Sequence, residues 1–296
     1  MIRSFLHAAA FAVLFVLCAH AQAASSPAVL SVESVLSPAW VERANGAREP
    51  LAAGMVLSNR EKVHTGDGGK AMLRLAEGSA IKLGESAMLA VDNLLEKPDA
   101  KGGVVTASLD VVRGAFRFTT ALLGKSNAQR DVRVQVRTVT AGIRGTDVWG
   151  KSESERDIVC LLEGRINVSH GAAQFTMQEP LSFYIAPRTG QAQPPSRVTE
   201  AQVKEWSAET EIEAGVGASR RGGAASVTVA ASGDERTAAA VRDKLRDSGF
   251  PAELVRGAGA SPRHEVRIQS LLSAADAAAL AKRLQGLGFS ASRANP

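Results

Sequence analysis

The sequence predicts a multidomain chain: an all-β N-terminal domain, either a β-sandwich or an irregular β-helical stack, followed by an α+β domain of βαββαβ order. Two observations carry this reading. The C-terminal stretch writes one pattern twice, with Val227, Val229, Ala240, Leu245, Gly249, Phe250 and Ala252 returning as Val266, Ile268, Ala279, Leu284, Gly288, Phe289 and Ala291. A common offset of about 39 residues across apolar and glycine positions marks a duplicated unit. The longer stretch before it breaks into short runs of alternating apolar and polar residues separated by glycines, the period-two signature of strands and tight turns.

Each copy of the duplicated unit reads as strand, helix, glycine turn, strand. Val227 and Val229 alternate with Ser226, Thr228 and Ala230, which gives a strand with one buried face. From Asp234 to Ser248, Ala238, Val241 and Leu245 recur at helical spacing, while Arg242, Lys244 and Arg246 fall on the wetter sides. Gly249 ends the helix, because a left-handed position after the last turn costs least without a Cβ. Phe250, Ala252 and Leu254 then start a second strand inward. The second copy repeats this with Val266 and Ile268, a helix begun by Ser273 with Asp276 three residues later, Leu280 and Leu284 inside, then Gly288 and Phe289. Both helices cover one face of a small sheet and leave the other to solvent.

The V-x-V strand, the Ala-rich helix ending in Lys244-Leu245 and Gly249-Phe250, and its repeat in Arg283-Leu284 and Gly288-Phe289, resemble the SPOR domain of bacterial cell-envelope proteins over residues 224–296. The resemblance implies that the open sheet face binds peptidoglycan glycan strands stripped of their stem peptides. Where that family often has Gln in the first strand and an aromatic soon after, Thr228 and Ser232 stand here. Alternation puts Ser226, Thr228, Ala230, Arg267 and Gln269 on the open face, joined by Ser290 and Ser292 from the last strand. Hydroxyls and an amide suit sugar hydroxyls and N-acetyl groups, and Arg267 suits the lactyl carboxylate of muramic acid. The expected glycan site is therefore Thr228, Ala230, Ser232, Arg267, Gln269 and Ser290, centred on the second copy. The competing reading is an ordinary solvated sheet face.

The β domain spans residues 28–213. Alternation is visible from Lys70 to Leu75, Ile81 to Leu83, Val111 to Phe118, Val132 to Val139, Ile158 to Leu162 and Ile166 to Val168. Gly78, Gly114 and Gly164 each occupy a tight corner between apolar strand residues. Thr65-Gly66, the run from Ala71 to Ser79, the run from Arg137 to Val148 and the run from Leu162 to Val168 resemble a FecR-type domain, in that family's order. In iron-uptake regulators of that family, a periplasmic β domain receives a signal from an outer-membrane receptor and passes it through a membrane helix to a sigma-factor regulator. Neither a cytoplasmic regulator nor that helix is expected in this sequence, so the direct route to a sigma factor is not expected either.

The most distinctive motif of the β domain is Ile143-Arg144-Gly145-Thr146-Asp147-Val148. Gly142 and Gly145 allow sharp turns, Arg144 can fork onto a carboxylate or carbonyls, and Thr146 or Asp147 can cap the turn. Arg144, Gly145, Thr146 and Asp147 are thus expected to form a structural latch, with a partner contact as the alternative. At the domain junction, Thr199 with Gln202 forms a capping box and Val198 with Val203 a hydrophobic staple, so a helix from Glu200 to about Glu213 is expected to pack Val203 and Trp206 on the β domain. Residues 214–223, with four glycines flanking Arg220-Arg221, are expected to be a flexible linker that lets the domains move independently.

Residues 1–23 read as a signal peptide, with Arg3, an apolar run from Ala8 to Ala19 and an Ala21-Gln22-Ala23 site for cleavage after Ala23. The run is shorter than the roughly 20 residues that span a bilayer, so export to the periplasm without a transmembrane anchor is expected. Cys18 leaves with the leader, and Cys160 lies in the apolar run from Ile158 to Leu162 as a core residue rather than a nucleophile. A formal net charge of +5 suits an anionic wall, but spread charges and few aromatics exclude a nucleic-acid platform. The turn from Thr65 to Lys70 lacks phosphate-loop spacing and reads as a hairpin turn. His64, His170 and His264 show no ligand spacing, and no Ser, His and Asp set has a nucleophile context, so neither metal, cofactor nor catalysis is expected. Two functions remain: a wall-binding envelope protein, enriched at the wall or the division septum, that binds a protein or ligand partner through its β domain; or a signal-sensing component working with a separate membrane regulator or outer-membrane receptor.

Overall fold

The computed structural model describes residues 30–97, 104–121, 129–143, 145–257, 263–290 and 292–293. The expected leader and Arg144 lie outside the described residues. The chain opens with β1 (Leu30–Leu36), β2 (Ala39–Glu42), β3 (Arg48–Pro50), β4 (Val56–Leu57), β5 (Lys62–Thr65), β6 (Lys70–Leu75), β7 (Ala80–Leu83) and β8 (Met88–Lys97). The long β9 (Val104–Thr119) follows, then β10 (Gln129–Val136), β11 (Val139–Ile143), β12 (Asp147–Ser152) and β13 (Arg156–Glu163). Finally come β14 (Ile166–His170), β15 (Ala173–Met177), β16 (Ser182–Pro187) and β17 (Ser196–Arg197).

These strands make two layers that share β9. Its first part pairs with β8 and, in parallel, with β10, and that layer continues through β11 and β14 to β15. Its second part pairs with β7 and β12, and the second layer continues through β13 and β16 to β17. One apolar core fills the space between them, with Val63, Leu89, Val134 and Val168 from the first layer and Leu73, Phe116, Phe118 and Leu161 from the second. Burying each such side chain contributes about 1.5–3 kcal/mol before chain entropy is subtracted.

The sharing of β9 corrects two turn assignments. Gly114 is not a corner: the chain runs through it as one strand, and its φ of +84° marks where β9 leaves one layer for the other. A Cβ there would meet Ala87 Cα at 2.6 Å. The segment from Thr65 to Lys70 is not a hairpin turn either, because β5 pairs with β2 and β8 in the first layer while β6 pairs with β1 and β7 in the second. Gly78 does close a hairpin, between β6 and β7.

Helix α1 (Glu200–Thr210) starts on the capping box formed by Thr199 and Gln202 and ends three residues earlier than the sequence suggested. Lys70 stops it, donating its ammonium to Ala208 O at 2.7 Å and Glu211 O at 2.9 Å, where the last helical carbonyls lack partners. Trp206 stacks on Trp149 of β12, ring centroids 4.8 Å apart, and so fixes the helix to the β domain.

After β18 (Ser219–Arg220), the C-terminal domain comprises β19 (Ala225–Ser232), α2 (Glu235–Asp247), β20 (Ala252–Arg256), β21 (His264–Leu271), α3 (Ala274–Gly286) and β22 (Ser292–Arg293). Its antiparallel sheet runs β22-β19-β21-β20. Both helices pack on one side, with Ala238 and Leu245 of α2 and Ala277, Leu280 and Leu284 of α3 buried against Val227, Val266 and Ile268. Gly249 and Gly288 end the helices at φ +80° and +83°.

The linker expectation is corrected. Residues 214–223 do not hang free: β18 pairs with β1 on one side and, through Ser219, with Leu271 of β21 on the other. Asp276, buried at the start of α3, accepts from Gly215 N at 3.0 Å and Gly217 N at 3.2 Å. Composition suggested slack, but these glycines serve close approach: a Cβ on Gly217 would meet Leu280 N at 2.9 Å.

Candidate functional site

The side of the C-terminal sheet away from its helices presents a polar surface. Thr228 of β19, Arg267 of β21 and Glu253 of β20 are successive cross-strand partners in one row. The Arg267 guanidinium donates from Nε and Nη2 to Glu265 Oε2 at 2.8 and 2.6 Å. Gln269 donates its amide to Glu253 Oε2 at 2.7 Å. The side chains of this face that sequence alternation missed are these two glutamates. Their positions, one residue before partly buried Leu254 and one before buried Val266, follow the same period-two rule that located Arg267.

The six expected glycan residues do not form one patch. A bulge in β19 between Thr228 and Ala230 reverses the parity, because a bulged residue shifts every later side chain by one face. Ala230 therefore stands opposite Val266 and packs against the apolar core, and Ala231 is exposed in its place. Ser232 leaves the face altogether; its hydroxyl accepts from Asp234 N at 3.0 Å in the approach to α2. Thr228, on the face beside Arg267, also lines a groove of about 780 Å³ along β19 with Ala230, Ser290, Phe289 and Gln285. Arg267 and Gln269 remain on the sheet face.

In the β domain, the distinctive motif meets its own glycine turn. Gly145 has φ +66°, and Gly164 at φ +92° lies so close that a Cβ on it would meet Gly145 O at 2.5 Å and Thr146 Cγ2 at 2.8 Å. Thr146 and Thr120 exchange hydrogen bonds, Thr146 N to Thr120 Oγ1 and Thr120 N to Thr146 O, both 3.0 Å. Asp147 accepts a fork from Arg117 of β9, Nε at 2.9 Å and Nη2 at 2.7 Å, and Arg117 also reaches Glu211 beyond α1 at 3.2 Å. The latch residues in view thus join strands and helix end. The strand pattern contained the missing partner, since Arg117 between buried Phe116 and Phe118 is a cation in need of an acceptor.

A second ion pair, Asp157 with Arg188, was not anticipated. Asp157 is 0% exposed and accepts from Arg188 at 2.5 and 2.8 Å and from Thr138 N and Oγ1 at 3.1 and 2.6 Å. Burial pushes its pKa up, but the hydrogen bonds from Arg188 and Thr138 outweigh this and hold it below the usual carboxylate value. Cys160 is buried in β13, and burial, reinforced by Asp147, pushes its thiol up to about 12. Among the described residues no group of three or more His, Cys, Asp or Glu side chains is placed to hold a metal ion.

Comparison with known families gives these two regions their names. The family described as FecR protein matches residues 61–167, and the SPOR domain family matches residues 222–293. The chain carries a FecR-type domain followed by a SPOR domain. Both are non-catalytic binding or regulatory domains, no enzyme family is indicated, and SPOR domains occur in periplasmic and envelope proteins. Among the described residues no helix is long and apolar enough to cross a membrane. No curated protein matches the chain. Among solved structures, two of a proposed anti-sigma factor from Parabacteroides distasonis are similar. The first, at 1.65 Å resolution, is 14% identical with a TM-score of 0.38, and the match covers 49% of this chain and 63% of that one. The second, at 2.50 Å, is 12% identical with a TM-score of 0.38, covering 76% and 90%. The chain therefore spans less than two thirds of the first.

Proposed function

We propose that this protein binds peptidoglycan glycan strands through the open sheet face of its SPOR domain and holds its FecR-type β domain out to an envelope protein partner. The observation that carries the reading is a SPOR match on a sheet whose outer face keeps Arg267 and Gln269 accessible while both helices lie on the other side. Sugars offer hydroxyls, amides and, on muramic acid, a carboxylate, and this face offers a guanidinium, an amide and carboxylates in return. In this reading the chain acts in the periplasm after cleavage behind Ala23, at the wall or the division septum. The test is retention of the full chain on sacculi stripped of stem peptides. Wild type is expected to be retained and Arg267→Ala with Gln269→Ala to be lost to the supernatant; equal retention of both sinks the assignment of this face.

A second reading is favoured by the FecR match itself. There the β domain senses a signal from an outer-membrane receptor or passes it to a separate membrane regulator, with wall binding secondary. Localising each domain separately discriminates the two, because only the first expects wall or septal enrichment from the SPOR domain alone.

A further inference from the structure

The SPOR domain touches the β domain through its helix side. We infer that it is docked there rather than tethered, so that the two domains act as one body, with the turned-away sheet face and the β domain held in fixed relation. Three independent contacts carry this. The first is β18, a strand segment shared by both domains: Ser34 and Val35 of β1 pair with Arg220 and Ser219, Arg221 N donates to Glu33 O at 2.8 Å, and Ser219 faces Leu271 of β21. A backbone ladder of this kind fixes direction as well as distance.

The second contact is Arg283, on α3. Its guanidinium enters a socket made by the β1–β2 connection and the turn between β5 and β6, donating to Ser37 O and, at 3.4 Å, to Asp67 O. A half-buried guanidinium is costly without acceptors, and here they come from the other domain. Burial pulls its pKa down, opposed by the charge of Asp67. The third contact is Gly249, where α2 ends. Ala39 N donates to its carbonyl at 3.1 Å, and a Cβ on it would lie 2.7 Å from the Trp40 ring. The glycine that ends the helix thus also admits a tryptophan of the neighbouring domain.

A docked SPOR domain differs from a tethered one in what it can transmit. With slack chain between them, load on one domain would be lost before reaching the other. Through β18 and Arg283 it arrives at β1, which pairs with β6 in the core layer of the β domain. The docking rests on the contacts alone; its use at the wall rests on the glycan reading above.

Arg220-Arg221 supplies the test, because trypsin cuts after arginine only where the chain opens locally. In the full chain, cleavage there is expected to be at least about tenfold slower than in a free peptide of residues 214–223. Arg283→Glu, which places a carboxylate against two carbonyls, is expected to speed cleavage by about tenfold and to extend the particle in small-angle X-ray scattering. Trp40→Ala, altered in the other domain, is expected to act in the same direction, so that a folding defect in either variant leaves one to decide. Wild-type cleavage at the peptide rate overturns the inference, as does an unchanged rate in a variant whose circular dichroism matches wild type. Sacculus retention is a separate readout: its absence in wild type would remove the glycan reading and leave the docking standing.

Discussion

The ion pairs of the β domain and those of the SPOR sheet face look alike in a contact distance and differ in what they connect. Arg188 with Asp157 and Arg117 with Asp147 join residues 31 and 30 positions apart, on different elements. Arg267 and Glu265 are 2 positions apart on one strand. A pair that bridges elements is broken only by moving them; a pair within one strand holds nothing else in place. The Asp157 carboxylate is 0% exposed, whereas Arg267 keeps 35% of its side chain in water. The difference teaches where exchange is cheap: the sheet face can give up its pair at little cost, and the β domain cannot release its own without unfolding.

The largest effect is expected from breaking the most buried pair. Asp157→Ala leaves Arg188 without its carboxylate and Thr138 without its acceptor, at a cost of about 3–5 kcal/mol, read as the shift in urea-induced unfolding of the full chain. The same pair sets an acid limit. Because the folded pKa of Asp157 lies below its unfolded value, its stabilisation is complete above the ordinary carboxylate range, about pH 4, and is lost as the pH falls through the folded pKa. Unfolding titrated from pH 7 to pH 2 should therefore steepen below about pH 4 in wild type and less in Asp157→Ala. A profile identical in the two proteins would remove Asp157 from the acid response.

A smaller effect is expected from Asp147→Asn, which keeps the shape of the latch and removes its charge. Arg117 retains Glu211, so the loss is about 1–3 kcal/mol, read by the same denaturation. Cys160 reports the result from inside the layer: with its thiol raised to about 12, it should resist alkylation at pH 8 in the folded protein and react once unfolding begins. Alkylation of folded wild type at the rate of a free thiol would contradict the burial of β13.

Local rules made much of this legible. The repeat register, with its buried valines, paired glycine stops and Ser273 cap, is written in adjacent residues, and so is the capping box at Thr199. What escaped depends on residues distant in sequence or on a single inserted one. The bulge after Thr228 leaves the V-x-V pattern intact and reverses the faces of Ala230 and Ala231. Gly114 looks like a corner because glycine is the same residue in a turn and at a crossing between layers. The glycines of residues 214–223 suggested slack for the same reason, while their use is the close approach of backbone to α3. Arg117 and Arg188 found their carboxylates only through the order of strands, which periodicity does not report.

The smallest stability effect carries the sharpest functional one. Glu265→Gln removes the charge that occupies Arg267, and because that pair ties no two elements together, stability should move by no more than about 0.5 kcal/mol. Glycan binding should move more. A muramic acid carboxylate reaching Arg267 competes with Glu265 for the same guanidinium and is repelled by it, so Glu265→Gln should raise retention on stripped sacculi by a few-fold, about 1 kcal/mol of binding. Adding Arg267→Ala should cancel the gain, since the glutamate then has nothing to withhold. A Glu265→Gln protein destabilised as strongly as Asp157→Ala would erase the contrast between the two regions. A gain that survives Arg267→Ala would mean that the glutamate acts on the sugar directly, by repulsion alone, and the guanidinium would lose its place in the site.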